Sequence, residues 1–286
     1  MTKRKPSWLK VPPPWGDNYS AVRKQLRKTK LHTVCEAAKC PNIGECFNLG
    51  TATFLLMGEV CTRHCRFCNI GSGKVLPLNK EEPGNIAAAV ASLRLKFAVI
   101  TSVTRDDLPD GGADHFAQTI RAIRKLSPDT GIEVLIPDLQ GNRTALDKII
   151  DAGPDVINHN IETIERLYPQ VRPEADYNRS LDLLSYVASN SKTISKSGFM
   201  LGLGETEDEV VTLLRDLRSA GCLSVTIGQY LAPSDKHFPV YEYVTPGFFD
   251  KAGSIAREMG FEHVMSAPLV RSSYHAGDSD LNLHGR

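Results

Sequence analysis

Thr51-Ala-Thr-Phe-Leu-Leu-Met57 runs on through Gly-Glu-Val into Cys61-Thr-Arg-His-Cys65-Arg-Phe-Cys68. The first part is an apolar run of strand length and reads as a buried strand. The second part places three thiols, spaced C-x3-C-x2-C, just past that strand's C-terminal end. Parallel α/β folds build their active sites at such ends. Three thiolates hold three irons of a 4Fe–4S cube and leave the fourth iron without a protein sulfur. An open metal position is where a cofactor or substrate binds. Zinc is the competing reading. It usually takes four ligands in paired Cys or Cys/His sets, and His64 sits too close to Cys65 to share its metal easily.

Downstream, strands alternate with helices. Strands are expected at 97–101, 132–136, 155–158, 193–201 and 223–227. Helices are expected at 82–95, 113–126, 143–151, 161–167, 180–189, 207–220 and 246–259. Gly153, Gly221 and Gly260 close three of these helices in the C-cap manner. This alternation predicts an α/β fold with a parallel sheet and right-handed crossovers. About six βα units are visible, two fewer than a closed eight-unit barrel, so the expected fold is a partial (β/α)6 TIM-like barrel.

Upstream, Cys35, Cys40 and Cys46 form a second set, spaced C-x4-C-x5-C. That spacing does not place them on one helix face. With Pro41 and Gly44 as breakers, residues 31–50 read as an irregular loop wrapped around a metal centre, structural zinc or an iron–sulfur cluster. Six of the seven cysteines fall in these two sets, and a tight cluster in a reducing compartment means metal or catalysis rather than disulfides. Cys222 stands apart and reads as a small buried hydrophobe.

With 34 basic and 33 acidic residues the net charge is +1, which gives no reason to expect nucleic acid or an anionic membrane as a partner. No apolar run approaches a membrane span, and the basic, proline-rich start has no signal-peptide core, so a cytoplasmic location is expected. Lys24, Arg27, Lys28 and Lys30 read as a solvated helix face, with docking of an acidic partner as the alternative.

The C-x3-C-x2-C set, with Phe67 before its last cysteine, resembles the radical S-adenosylmethionine (SAM) superfamily. The two cysteine sets together resemble the lipoyl synthase family. The likeness continues through Cys40-Pro-Asn-Ile-Gly-Glu-Cys46, Thr51-Ala-Thr-Phe54, Thr101-Ser-Val-Thr-Arg-Asp-Asp-Leu-Pro-Asp-Gly-Gly112, Asn158-His-Asn160, Val171-Arg-Pro173, Gly202-Leu-Gly-Glu-Thr206, Gly228-Gln-Tyr230 and Arg271-Ser-Ser-Tyr-His275. It covers residues 31 to 276. Biotin synthase-like chains, another radical sulfur-inserting group, lack the Arg-Ser-Ser-Tyr tail. A zinc or electron-transfer protein is the rival from outside the enzymes.

The resemblance implies two 4Fe–4S clusters and SAM as cofactors. Cys61, Cys65 and Cys68 would hold the cluster that chelates SAM and, once reduced, releases a 5′-deoxyadenosyl radical. Cys35, Cys40 and Cys46 would hold an auxiliary cluster, with Ser273 rather than Ser272 as the fourth iron ligand. That cluster would donate sulfur at C6 and C8 of an octanoyl chain amide-linked to a carrier lysine. The implied partners are octanoylated lipoyl-carrier domains of 2-oxoacid dehydrogenase complexes or of the glycine cleavage system, a ferredoxin- or flavodoxin-type electron donor, and a cluster-repair carrier.

Phe67, by that likeness, lies near the adenine. Ser102 and Thr104, at a strand end, are candidate cofactor contacts, with Arg105 and Asp106 as substrate or salt-bridge residues; ordinary loop structure is the alternative. Asn158, Asn160 and Glu162 are candidates for the ribose or amine, against helix capping. Arg172 is a candidate for the methionine carboxylate, against a surface salt bridge. Gly204, in Gly202-Leu-Gly204, is a candidate close approach to the cofactor, against a plain strand-to-helix turn. The expected organisation is an extension at 1–50, a barrel at 51–265 and a cluster-closing tail at 266–286.

Overall fold

The computed structural model describes residues 4–29, 31–49 and 53–277. The chain forms two compact units that interleave in sequence. One comprises Pro12–Arg63, Asn69–Ile157 and His275–Arg286; the other comprises Met1–Val11, His64–Cys68 and Asn158–Tyr274.

In the first unit, β1 (Thr53–Leu56) runs parallel to β2 (Phe97–Ser102), with Leu56 opposite Ser102. On the other side of β2 lies β3 (Gly131–Leu135), also parallel, and β4 (Val156–Asn158) comes next in the order. A two-residue strand, His32–Thr33, caps the β1 edge in antiparallel sense. Phe54, Leu56, Ala98, Ile100, Ile132 and Val134 are fully buried. Such near-continuous apolar strands suit a sheet covered on both faces.

The helices here are α1 (Asp17–Thr29), α2 (Val34–Ala37), α3 (Ile43–Asn48), α4 (Glu82–Ser92), α5 (Ala113–Leu126) and α6 (Arg143–Asp151). On α5, Phe116, Ile120 and Ile123 recur at helical spacing and are all buried. Asn142 caps α6 by accepting from the Ala145 N–H.

In the second unit, β5 (Ile194–Leu201), β6 (Ser224–Gln229) and β7 (His263–Ser266) are parallel, with Leu201 opposite Gln229. They are accompanied by α7 (Tyr168–Val171), α8 (Tyr177–Asn190), α9 (Glu207–Ser219) and α10 (Pro246–Glu258). Leu213, Leu214 and Leu217 of α9 and Phe249 and Ala256 of α10 pack with Val225 and Ile227 of β6.

Three stretches differ from the sequence expectation. Residues 31–50 are not irregular: they contain α2 and α3. The Thr33 side chain accepts from the Glu36 N–H and starts α2, while Asn48 at the end of α3 binds back to the Trp15 carbonyl and the Tyr19 N–H. The helix expected at 161–167 is replaced by a bridge from Glu162 to Phe199, a 3-10 turn at Glu165–Leu167 and then α7. Glu162 takes φ 66, in the left-handed region, which breaks any helix through it. Strand β7 was not foreseen, because His-Val-Met-Ser is half-buried throughout and shows no alternation. The expected strand start at Thr51 and the tail beyond residue 277 lie outside the described residues.

Candidate active site

Cys61 lies at the end of a two-residue strand, Val60–Cys61, in the first unit. Its Sγ accepts the Arg63 N–H at 3.4 Å and the Thr104 N–H at 3.3 Å. The two loops are joined further. Thr62 donates its N–H and its hydroxyl to the Thr104 carbonyl, at 3.1 and 3.0 Å, and the Asp106 N–H donates to the Thr62 hydroxyl at 3.1 Å. Thr104, a cofactor candidate, therefore acts on Cys61 through its backbone.

The Arg63 guanidinium is gripped from two sides. It donates to both Asp106 oxygens, at 2.6 and 2.9 Å, and to both Asp138 oxygens, at 3.0 and 2.6 Å. Burial alone would lower its pKa, but the bonds to Asp106 and Asp138 override this and hold it above its ordinary value. Arg105 pairs with Asp107 instead, at 2.8 Å.

In the second unit, Cys65 and Cys68 sit on a short segment held at four points. The Arg66 N–H donates to the Val171 carbonyl and the Arg66 carbonyl accepts from the Phe238 N–H, each at 2.8 Å. His64 leans on Glu174, with Nδ1 at 3.0 Å. His237 Nε2 donates to the Cys68 carbonyl at 3.1 Å, while Ser234 bonds its Nδ1. Phe67 packs on the apolar core of this unit.

Asn160, Glu162 and Arg172, singled out separately in the sequence, come together in the second unit. Asn160 Nδ2 donates to Glu162 at 3.1 Å and to the Ser272 hydroxyl at 2.6 Å. Arg172 is buried over the Tyr168 ring and donates to the Asn160 and Ile161 carbonyls, so it is not a surface salt bridge. Burial raises Glu162, and Arg172 opposes that. Asn158 is fully buried on β4. Gly204, at φ +109, lies against the Tyr241 ring, and Glu205 accepts the Gly202 and Leu203 N–H groups, so this turn is closed by its own side chain.

The auxiliary set begins on α2 with Cys35, whose thiol burial pushes up to about 11. Iron binding would replace that proton. The Cys40 N–H bonds the Cys35 carbonyl, and Cys46 lies on α3. Asn69 donates to the Ala37 carbonyl at 2.7 Å and so buttresses α2 within the first unit. His275, two residues past Ser273, pairs with Glu45 beside Cys46 at 3.1 Å. Cys222 is fully buried and pushed up to about 12 by that burial, as expected of a structural thiol.

Sequence reasoning missed Asp138, His237, Glu174 and the role of Arg63. Only Arg63 carried a signal, by lying between two cysteines. Glu174 follows directly on Val171-Arg-Pro173 but carries no spacing signal of its own, and Asp138 and His237 stand beside no motif. The residues present fit the implied cofactors. Six thiols suit iron–sulfur chemistry better than hard cations. Among the described residues no three His, Cys, Asp or Glu groups converge on one ion; in a cubane each thiolate binds a different iron, so none need do so. In the first unit the Ser102 hydroxyl and Arg105 Nη1, and in the second unit Asn160 Oδ1, are buried with no hydrogen-bond partner, as polar atoms that face a bound ligand are.

These features define a radical SAM enzyme, and the comparisons agree. The family model of the radical SAM superfamily matches residues 55–217. The solved methylornithine synthase PylB has a TM-score of 0.55 at 12% identity, covering 86% of this chain and 76% of that one. HydG, a maturase of the [FeFe]-hydrogenase, has a TM-score of 0.58 at 16% identity, covering 87% and 64%. These likenesses establish the α/β partial-barrel fold.

Within that class the chain belongs to the lipoyl synthase family. Residues 1–40 match the model of the N-terminal domain of lipoyl synthase. Lipoyl synthase of Caldicellulosiruptor bescii is 57% identical, over 96% of this chain and 94% of its own. That of Caldanaerobacter subterraneus subsp. tengcongensis is 54% identical over 99% of each, and that of Chlorobium phaeovibrioides 53% over 97% and 98%. Among the described residues no helix is long and apolar enough to cross a membrane.

Proposed function

We propose that this chain is a sulfurtransferase that inserts two sulfur atoms, at C6 and C8, into an octanoyl chain carried on a lysine of a lipoyl-carrier domain. The observation that carries this reading is near-full-length identity above half to lipoyl synthases, joined to two separate cysteine sets. When bound and reduced, a 4Fe–4S cluster with SAM supplies a radical able to break unactivated C–H bonds, which acid–base chemistry does not reach.

Cys61, Cys65 and Cys68 would hold that cluster; Cys35, Cys40, Cys46 and Ser273 would hold the auxiliary cluster, which is consumed as sulfur donor. A serine oxygen is a harder, weaker partner for iron than a thiolate, which suits a ligand that must leave. Ser102 and Asn160 would offer their buried polar atoms to SAM, with Phe67, Thr104, Asn158, Glu162, Arg172 and Gly204 shaping its surroundings. Residues 1–50 would form the cluster-binding extension, 51–265 the barrel and 266–286 the tail. Carrier domains of 2-oxoacid dehydrogenases or of the glycine cleavage system, a ferredoxin- or flavodoxin-type donor and a cluster-repair carrier would be the partners, in the cytoplasm.

The test is an anaerobic assay with SAM, a strong reductant and an octanoyl-lysine carrier domain, followed by mass spectrometry. 5′-Deoxyadenosine together with two added sulfurs is the expected result. Deoxyadenosine without sulfur would overturn the substrate. Neither product from protein with intact clusters would overturn the enzyme.

A further inference from the structure

Of the two arginines inside the cysteine loop, Arg66 is exposed and Arg63 is buried. Arg63 is 4% exposed, and it makes four hydrogen bonds to two carboxylates from two different loops. Asp106 follows β2, and Asp138 follows β3 and is itself 0% exposed. A buried charge set of this kind is an expensive way to fill space, since apolar residues of similar volume generally serve stability as well or better. Its placement suggests another use. The Arg63 backbone N–H bonds the Cys61 sulfur, and the Asp106 strand of loop supplies the second N–H, from Thr104, to the same sulfur.

We infer that Arg63 is a positioning residue: gripped by Asp106 and Asp138, it locks the Cys61 sulfur beneath two backbone N–H donors and so sets the reduction potential of the cluster held there. The inference rests on the ligand assignment above and deepens it. Two effects follow from the same groups. Hydrogen bonds to a cluster sulfur favour the reduced, more negative state, and local net charge shifts the potential in the same sense as its sign. One guanidinium between two carboxylates leaves one net negative charge beside Cys61. The fork geometry matters as well, because a lysine is a point charge and cannot bridge both carboxylates in plane.

The test uses the reconstituted full-length protein with the variants Arg63→Gln, Arg63→Lys and Asp138→Asn. A redox titration follows the electron paramagnetic resonance signal that changes when SAM is added, which separates this cluster from the auxiliary one. Arg63→Gln should shift the midpoint negative, through lost positive charge and loosened N–H donors. Arg63→Lys keeps the charge but not the fork and should shift it negative by less than Arg63→Gln, through loosened N–H donors alone. Asp138→Asn removes a negative charge and also loosens the clamp, effects of opposite sign on the midpoint, so it is read by amide exchange at Thr104, which should quicken. A charge effect without a clamp would leave Arg63→Lys at the midpoint of the unaltered protein. An unshifted Arg63→Lys, or a positive shift in Arg63→Gln, would overturn the inference. If Arg63→Gln does not fold, Arg63→Lys decides. Amide exchange at Thr104 is read in parallel and needs no cluster. It should quicken in Arg63→Lys, and unchanged exchange counts against the clamp. A SAM-responsive signal missing from the unaltered protein would overturn the ligand assignment itself, while the exchange result still judges the clamp.

Discussion

At the scale of single residues, the sorting of seven cysteines is the sharpest claim. Cys222 is fully buried, with its sulfur 3.6 Å from the hydroxyl of Ser195 on β5. Cys222→Ala should leave iron and sulfide content unchanged and cost about 1 kcal/mol of stability from the small void it leaves. Loss of iron in that variant, measured colorimetrically, would make it a ligand after all. Ser273 is the opposite case. Ser273→Ala should retain SAM cleavage, seen as deoxyadenosine, while sulfur insertion falls at least tenfold. Equal loss of both would remove it from the auxiliary site. Ser272, beside it, accepts a hydrogen bond from Asn160.

At the scale of elements, the turn leaving β1 aims the cysteine loop. Met57 takes φ 66, its N–H donates to the buried Glu82 carboxylate at 2.9 Å, and His115 meets the same carboxylate at 2.7 Å. Gly112, at φ +88, lets the Met57 sulfur pass where a Cβ would approach to 2.3 Å. Gly112→Ala should therefore cost about 2 kcal/mol or more, from left-handed strain and displacement of Met57. A denaturant midpoint equal to that of the unaltered protein would refute this. The start of α9 gives a pH effect. Arg166 and the Thr206 cap hold Glu209 down to about 2 from 4.5. A carboxylate depressed in the folded state adds stability above its unfolded pKa and loses it as pH falls. This contribution should be full above about pH 5 and fade toward pH 2, and solvent around the exposed Arg166 keeps it below about 1 kcal/mol. Comparing melting of Glu209→Gln with the unaltered protein across that range checks the sign.

The elements also show what was legible in advance. Helices α5 and α6 follow the expected bounds because their starts and apolar faces are local properties of the chain. The helical pieces at 31–50 are hard to read because the Thr33 cap and Asn48, which binds back to Trp15, look like loop residues until their partners are known. The Ile161–Leu167 stretch misled because its apolar spacing is helical, while Glu162 is drawn instead into a bridge with β5. In the site, motif spacing exposed both cysteine sets and the strand-end candidates. It had no means of pairing Arg63 with Asp138, 75 positions away.

At the scale of the whole molecule, the two ligand sets make a subtraction experiment possible. Cys35, Cys40 and Cys46 lie on and between α2 and α3, whereas Cys61, Cys65 and Cys68 follow β1 along the chain. If each set holds its own cubane, removing one should halve the metal and abolish one half-reaction only. Replacing Cys35, Cys40 and Cys46 together by alanine should lower iron and sulfide by about half. Deoxyadenosine should still form, and no sulfur should reach the acyl chain. Replacing Cys61, Cys65 and Cys68 should also leave about half the iron but abolish deoxyadenosine. The asymmetry is the discriminating feature. A single shared cluster would lose everything in both variants, and a zinc site at either set would leave iron unaltered when that set is removed. Retained sulfur insertion in the first variant would mean that the sulfur comes from elsewhere and that the N-terminal set only supports the fold.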